Sequence, residues 1–329
     1  MRDCESCGLG VRVLLLGANG QVGFELQRSL APLGELIVAT RSGKLPGGIG
    51  CLRADLADAD SLARALDSAQ CDIVVNAAAY TAVDRAEDEP DLAARINSAA
   101  LAQIGEWAAR RNSLVLHYST DYVFDGSGRR PYRENDETAP LSAYGRSKLA
   151  GEIALYESGC DCLILRSAWV YGARGGNFLR TMLRIARARD RLTVVDGQHG
   201  APTSSRLIAA TTSAVLMRWM AGDSAQRAGY NGIYHLAAAG ETTWCGFARA
   251  IVERAGQAGI LERVPEVAAI RSADFPTKAQ RPAYSVLDTT KLRERFGLIM
   301  PPWQEGLDAT IGELAERGKE GVQDAMTPC

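Results

Sequence analysis

Apolar residues fall along this chain in short unbroken runs, and between the runs they recur every three or four positions. The first run, Val11-Arg12-Val13-Leu14-Leu15-Leu16, is followed at once by glycines, the pattern of a buried parallel strand that feeds a helix. Runs of the same kind predict strands at 35–40, 72–76, 113–118, 161–166, 192–195 and 233–237. Helical spacing predicts helices at 21–31, 60–67, 91–111, 146–157, 177–189, 205–220, 244–256 and 303–317. Strands alternating with helices point to an α/β fold, a doubly wound parallel Rossmann sheet covered on both faces by its crossovers. After about residue 170 turn signals thicken, and Ala201-Pro202-Thr203 and Arg281-Pro282-Ala283 read as loops rather than central strands. No internal repeat interrupts the pattern.

The segment Gly17-Ala18-Asn19-Gly20-Gln21-Val22-Gly23 lies between the first strand and an amphipathic helix, so its glycine spacing has the context that a bare motif lacks. Glycines let a backbone approach a pyrophosphate, and the amides and positive end of the next helix hold phosphate without a lysine or arginine. At the end of the second strand, where an NAD site carries an acid for the ribose diol, stand Thr40 and Arg41. Arg41 can pair with a 2′-phosphate, which favours NADPH over NADH, or it is a solvated surface arginine. Asp55 reads either as an acceptor for the adenine amino group or as a helix cap before Leu56-Ala57-Asp58. The strand ending at Asn76 runs into small residues, Ala77-Ala78-Ala79-Tyr80-Thr81, which let a nicotinamide-side ribose lie close, with Thr81 a candidate cofactor contact. Asn97 either holds a water in a proton relay or faces solvent.

Thr120 closes an apolar strand, and Tyr144-Gly145-Arg146-Ser147-Lys148 opens a helix with Tyr144 and Lys148 four apart on one face. That spacing suits acid catalysis, because an ammonium beside a phenol eases the loss of its proton. Lys148 can also reach ribose hydroxyls, and Thr120 can hydrogen-bond the oxygen on which charge develops during hydride transfer. Asp121 and Trp169 follow two successive strands, where a doubly wound fold gathers its ligand contacts. Asp121 can accept from sugar hydroxyls, and an indole face suits a pyranose, although Trp169 also reads as ordinary core packing. The acids Asp84, Glu87, Asp88 and Glu89 read as a solvated helix approach, and His117 and His199 as packing or loop residues.

These motifs set the expected organisation: a disordered tail over 1–10, an NAD(P)-binding Rossmann domain over 11–170, and a smaller substrate lobe over 171–317 with segments returning to the sheet. A frayed polar tail is expected over 318–329. With 329 residues, 47% hydrophobic and 23% charged, the chain can bury a large core. A formal charge of −2 offers no general attraction to nucleic acid or an anionic membrane. No run approaches the ~18 apolar residues of a membrane span, and no apolar leader opens the chain. The cysteines at 4, 7, 51, 71, 160, 162, 245 and 329 form neither a disulfide framework nor paired zinc knuckles, so a reducing cytoplasm is expected, with Cys4 and Cys7 an unpaired CxxC in the tail.

Taken together, the residues resemble the dTDP-4-dehydrorhamnose reductases, extended short-chain dehydrogenases, from about 11 to 315. The likeness rests on GxxGQVG with Glu25-Leu26, on Asn76 through Asp84, on Tyr118-Ser119-Thr120-Asp121-Tyr122-Val123-Phe124 and on Pro140 through Gly145. It continues in Ser167-Ala168-Trp169-Val170-Tyr171, Asn177-Phe178, Gly200 through Thr203 and Arg281 through Ser285. The resemblance implies hydride transfer to C4 of a dTDP-linked keto sugar, the last step of dTDP-L-rhamnose synthesis, with Tyr144 as acid, Lys148 its support, and Thr120 polarising the carbonyl. It places Asp121 and Trp169 on the sugar and Gly20, Gln21, Val22, Asp55, Leu56, Ala79, Tyr80 and Thr81 along the cofactor. It also implies a homodimer bridged by Mg2+ on glutamates, which Glu25 and Glu313 match. Arg206 stands where the family has a further glutamate, and a cation there repels a metal.

Two other functions share this scaffold. A nucleotide-sugar dehydratase carries a glutamate after the Thr-Asp pair, where this chain has Tyr122, so elimination lacks its proton donor; an epimerase is less firmly set aside. A non-catalytic subunit that only binds nucleotide keeps the fold but has no need of Thr120, Tyr144 and Lys148 together.

Overall fold

A computed structural model describes residues 10–326, with side chains through 317; Cys4, Cys7 and Cys329 lie outside the described residues. The chain divides into two compact units. The first comprises residues through 119, 143–165 and 209–234, and the second 120–142, 166–208 and 235 onward.

The first unit is built on a sheet whose strands are β1 (Arg12–Leu16), β2 (Glu35–Thr40), β3 (Leu52–Arg53), β4 (Ile73–Asn76), β5 (Leu114–Thr120), β6 (Cys162–Ser167) and the strand Gly232–His235. Their order across the sheet is Gly232–His235, β6, β5, β4, β1, β2, β3. β1 pairs in parallel with β2 on one side and β4 on the other, so the order reverses at β1 and opens a crevice beyond the strand ends. The helices are α1 (Gln21–Leu30), α2 (Ala59–Ala69), α3 (Pro90–Ala94), α4 (Ala100–Arg111) and α5 (Ala143–Glu157). β1 and β4 are buried almost throughout, which is why their sequences are continuous apolar runs rather than alternations. Leu14, Leu16 and Val74 on the strands meet Leu62 and Leu66 of α2 and Leu101 and Ile104 of α4 in one core. Each such side chain, fully buried, contributes about 1.5–3 kcal/mol.

Most expected elements form, and the departures have local causes. The helix expected over 91–111 is broken by a π-turn at Arg95–Ala99, which turns Asn97 inward. α5 begins at Ala143 rather than 146 because the Glu87 carboxylate accepts from the Ala143 amide (2.8 Å), capping it from outside the helix. Thus Tyr144 lies in the first turn, and part of the acidic run expected to be solvated is a cap.

In the second unit the expected strand at 192–195 forms as Arg191–Val195, but outside the central sheet. It pairs in parallel with Glu266–Ile270, which the sequence reading did not foresee. Around this pair Leu179, Leu183, Phe247, Ile251, Trp303 and Leu307 make a separate core. The last helix, expected to end at 317 before a frayed tail, runs from Trp303 to Met326.

α5 lies close on the π-turn: a Cβ at Gly151 would stand 1.9 Å from the Asn97 carbonyl oxygen. Gly151→Ala should therefore cost about 1–3 kcal/mol through overpacking against backbone, read as a lower urea midpoint at unchanged m-value.

Candidate active site

Gly17 ends β1 with φ +79, and a Cβ there would stand 2.7 Å from the Ala78 amide at the end of β4. Only glycine fits, on grounds of both backbone angle and space. The Gly17 and Ala18 amides donate to Ala39 O (3.0 and 3.1 Å), tying the loop to β2. A Cβ at Gly23 would collide with Gly17 O at 2.1 Å, so α1 starts hard against the loop. Gly20 caps α1 without a side-chain hydrogen bond, and no acid sits in the first turn. The positive helix end at Gly20, Gln21 and Val22 has the character that can hold an anion.

At the end of β2, Thr40 faces inward. It is fully buried, and its hydroxyl donates to Lys44 O and accepts from Lys44 N, both at 3.1 Å. Thr40 therefore braces the turn, and its hydroxyl is not turned toward a ribose; Arg41 beside it is exposed. Asp55 is not the cap of α2, a role taken by Asp58, whose carboxylate accepts from the Asp60 and Ser61 amides. Asp55 instead accepts from Ala57 N (3.0 Å), beside buried Leu56. Beyond β4, Ala79 and Tyr80 are half-buried and Thr81 is exposed. Asn97, expected in solvent or on a relay water, is buried. It accepts from Tyr80 N (2.9 Å) and donates to Tyr80 O (3.0 Å) and Ser147 Oγ (2.9 Å), locking the Tyr80 backbone to α5.

Lys148 is 2% exposed, and its Nζ lies 2.6 Å from Tyr118 O and 3.0 Å from His117 Nε2. His117 in turn meets Asn76, its register partner on β4, through Nδ1 at 3.2 Å from Asn76 Nδ2. Burial brings the Lys148 amine down to about 8 against the opposing field of buried Glu152. Burial, then the Lys148 charge, holds His117 well below the usual imidazole range. His117, read from the sequence as packing, belongs to this network. A histidine inside an otherwise apolar strand demands a buried partner, and that was the available signal.

In the second unit the Thr120 hydroxyl donates to Asp121 Oδ1 (3.1 Å) and accepts from Tyr122 N (3.2 Å). Asp121 is 2% exposed, and burial pushes its carboxyl up to about 6. Trp169 adopts φ +49, a left-handed conformation that costs a non-glycine residue about 1–3 kcal/mol and is characteristic of binding sites. One face of its indole stacks on Trp244 at 3.6 Å, and its edge lies where a Gly200 Cβ would be. Trp244 also lines a cavity of about 400 Å³ with Phe178, Phe275, Gln198, Thr193 and Arg281.

The sequence profile described as the RmlD substrate binding domain matches residues 11–316. A dTDP-4-dehydrorhamnose reductase of Burkholderia thailandensis is 44% identical, with 92% of this chain and 99% of that protein covered. One from Escherichia coli K12 is 43% identical over 92% of this chain and 98% of that protein. The chain belongs to the dTDP-4-dehydrorhamnose reductase family. Among solved structures, the Bacillus anthracis reductase in complex with NADP superimposes with TM-score 0.80 at 30% identity, covering 93% of this chain and all of that one.

Membership in this reductase family makes it an NAD(P)H-dependent oxidoreductase with an α/β nucleotide-binding sheet. The residues matching the family's magnesium site do not fit a metal. Both oxygens of Glu313 accept from guanidinium groups, one from Arg206 at 2.5 Å and the other from Arg317, while Glu25 pairs with Arg28 at 3.5 Å. Among the described residues no cluster of three His, Cys, Asp or Glu side chains is placed to hold an ion, and no helix is long and apolar enough to cross a membrane.

The raised carboxyl of Asp121 has a signed consequence. Its neutral form stabilises the fold below its unfolded pKa, and that contribution is lost as pH rises through about 6. Asp121→Asn stays neutral throughout. Its stability relative to the parent, from urea unfolding, should improve by about 2–3 kcal/mol between about pH 4 and pH 8.

Proposed function

We propose that the protein reduces the C4 keto group of dTDP-4-dehydro-L-rhamnose to give dTDP-L-rhamnose. Family membership across residues 11–316, with Thr120, Tyr144 and Lys148 retained, carries this reading. Gly17, Gly20, Gln21, Val22 and Gly23 take the cofactor diphosphate; Asp55 and Leu56 take the adenine side, and Ala79, Tyr80 and Thr81 the nicotinamide side. When bound, the dihydronicotinamide supplies the hydride. Tyr144 gives its phenolic proton to the C4 oxygen as the carbonyl becomes an alcohol, and is then reprotonated from solvent, so charge and atoms balance. Thr120 turns its hydroxyl from Asp121 to the substrate oxygen and stabilises the negative charge that grows there. Lys148 holds the nicotinamide ribose hydroxyls and supports Tyr144.

Asp121 and Trp169 hold the sugar. Trp169 stacks on Trp244, and the aromatic cavity that Trp244 lines suits the pyrimidine, with Arg281 as a counter-charge for the diphosphate. Arg41 favours NADPH, because it is an exposed cation and no acid stands at the end of β2 to meet a free ribose diol. The NADP complex of the Bacillus anthracis relative agrees with that preference. We place the reaction in the cytoplasm, where the NADPH pool is found. A homodimer rests on family resemblance alone, and the Arg206–Glu313 pair argues for one assembled without metal.

Loss of dihydronicotinamide absorbance in the presence of dTDP-4-dehydro-L-rhamnose tests the reaction, and no turnover with cofactor still bound would overturn it. Tyr144→Phe should lower kcat by about two to four orders of magnitude with cofactor affinity retained. Separately, Arg41→Ala should raise the KM for NADPH about tenfold or more and leave that for NADH unchanged, since a charge-assisted bond is worth about 1.5–3 kcal/mol. Equal effects on both cofactors would remove Arg41 from the phosphate site.

A further inference from the structure

The turn that leaves β2 carries positive charge that nothing nearby balances. Residues 41–54 hold Arg41, Lys44 and Arg53 and no acid, in a chain whose formal charge is −2. All three side chains are exposed, and none has an ion-pair partner among the described residues. Like charges gathered without a counter-ion repel one another, so an anion that enters such a corner stabilises it. The corner is also firmly built. Gly43 N donates to Thr40 O at 3.2 Å, which puts Arg41 and Ser42 at the tip of a turn. Ala54 N donates to the same carbonyl at 2.9 Å and Cys51 N to Gly43 O at 3.0 Å, fastening the turn to β3. Beneath it the fully buried Thr40 hydroxyl donates to Lys44 O and accepts from Lys44 N, both at 3.1 Å. A residue gripped at both its amide and its carbonyl cannot swing with its loop, so only the side-chain torsions of Lys44 remain free.

We propose that Lys44 is the second cation of the 2′-phosphate site and that Thr40 is the positioning residue that holds it there, which rests on the reading of Arg41 as the partner of that phosphate in NADPH. A phosphate monoester, with a second pKa of about 6, carries close to two negative charges at neutral pH, and one guanidinium meets only one of them. Lys44 supplies the other as a compact ammonium with three donors on a flexible stem, and the exposed Ser42 hydroxyl adds a neutral donor. Arg53 stands opposite Thr40 on β3 rather than on the turn, so it lends its field and no bond. A carboxylate at position 40 would have no hydrogen to give Lys44 O. The residue that withholds an acid from a free ribose diol is thus the one that sets the cation for a phosphorylated ribose.

Calorimetric titration of the full-length protein with NADP+ and with NAD+, in the absence of sugar, reads the site directly. Lys44→Gln is expected to raise the Kd for NADP+ about tenfold and to leave that for NAD+ unchanged, since one charge-assisted bond is lost. Arg53→Gln removes the same charge from the same corner, and screening should hold its effect on NADP+ to about twofold. Thr40→Val keeps the shape without the hydroxyl and should reproduce the NADP+ loss of Lys44→Gln, while Thr40→Ser stays near the parent; unchanged NAD+ affinity shows that the fold is intact. Lys44→Gln acting equally on both cofactors or on neither, or Arg53→Gln matching it, overturns the assignment of Lys44. Thr40→Val weakening both cofactors alike, or neither, overturns the positioning role. A parent with no preference for NADP+, or Arg41→Ala without effect on it, removes the 2′-phosphate reading and the proposal with it. NADP+ binding that is weakened by Arg41→Ala and indifferent to Lys44→Gln sinks the proposal and leaves that reading standing.

Discussion

Burial of the Lys148 amine is the constraint around which the first unit is arranged. Taking an amine out of water costs several kcal/mol unless each of its hydrogens and its charge is accounted for. Here the cost is met by one carbonyl, Tyr118 O, and one imidazole, both from β5. Those contacts require α5 to lie close along the sheet, and this in turn explains the small residues on its buried face, Gly145, Ser147 and Gly151. The π-turn at Arg95–Ala99 fills the space beside that face, with Asn97 reaching both Tyr80 and Ser147. One buried amine thus links the end of β4, the middle of β5 and the start of α5.

The same logic separates what could be read from the sequence from what could not. Strands buried on both faces are continuous apolar runs, so β1, β4, β5 and β6 were legible, as was the glycine loop between β1 and α1 that only its spacing and context could license. The family was legible too, because its motifs sit at the ends of those strands. What stayed hidden depends on partners distant in sequence. Glu87 looks like one acid in a solvated run until Ala143, 56 positions later, proves to be the amide it caps. Asp55 and Asp58 are equally good caps on composition, and only the path of the chain into α2 chooses Asp58. Thr40 reads as a substitute for an acid at a ribose site, yet a small hydroxyl can turn back into its own turn, and here it does.

Arg206 illustrates the opposite case, a single residue whose charge decides a question. A carboxylate offers about four lone-pair directions, and two guanidinium groups on Glu313 occupy both oxygens with charge-assisted bonds. An ion competing for that carboxylate would have to displace both arginines and sit beside their charges. The Arg206–Glu313 pair ties the last helix to the helix that begins at Ser205 by charge-assisted hydrogen bonding.

Thr120 and Lys148 show two polar groups held in waiting by different means. The Thr120 hydroxyl has one hydrogen, and Asp121 takes it; releasing that hydrogen to a substrate oxygen leaves behind a carboxylate buried to 2% exposure. Such a carboxylate binds a proton more readily than one in water, as its rise to about 6 records, and a sugar hydroxyl that donates to it would replace the bond given up by Thr120. In the proposed reaction, binding of the sugar and release of the Thr120 hydrogen would be one exchange, in which neither group is left unpaired. Lys148 needs no such exchange, because its partners are a backbone carbonyl and a ring already fixed by Asn76. In the proposed reaction the substrate-side donor would be set by the ligand and the cofactor-side amine by the fold, a division that would defer carbonyl polarisation until substrate is present.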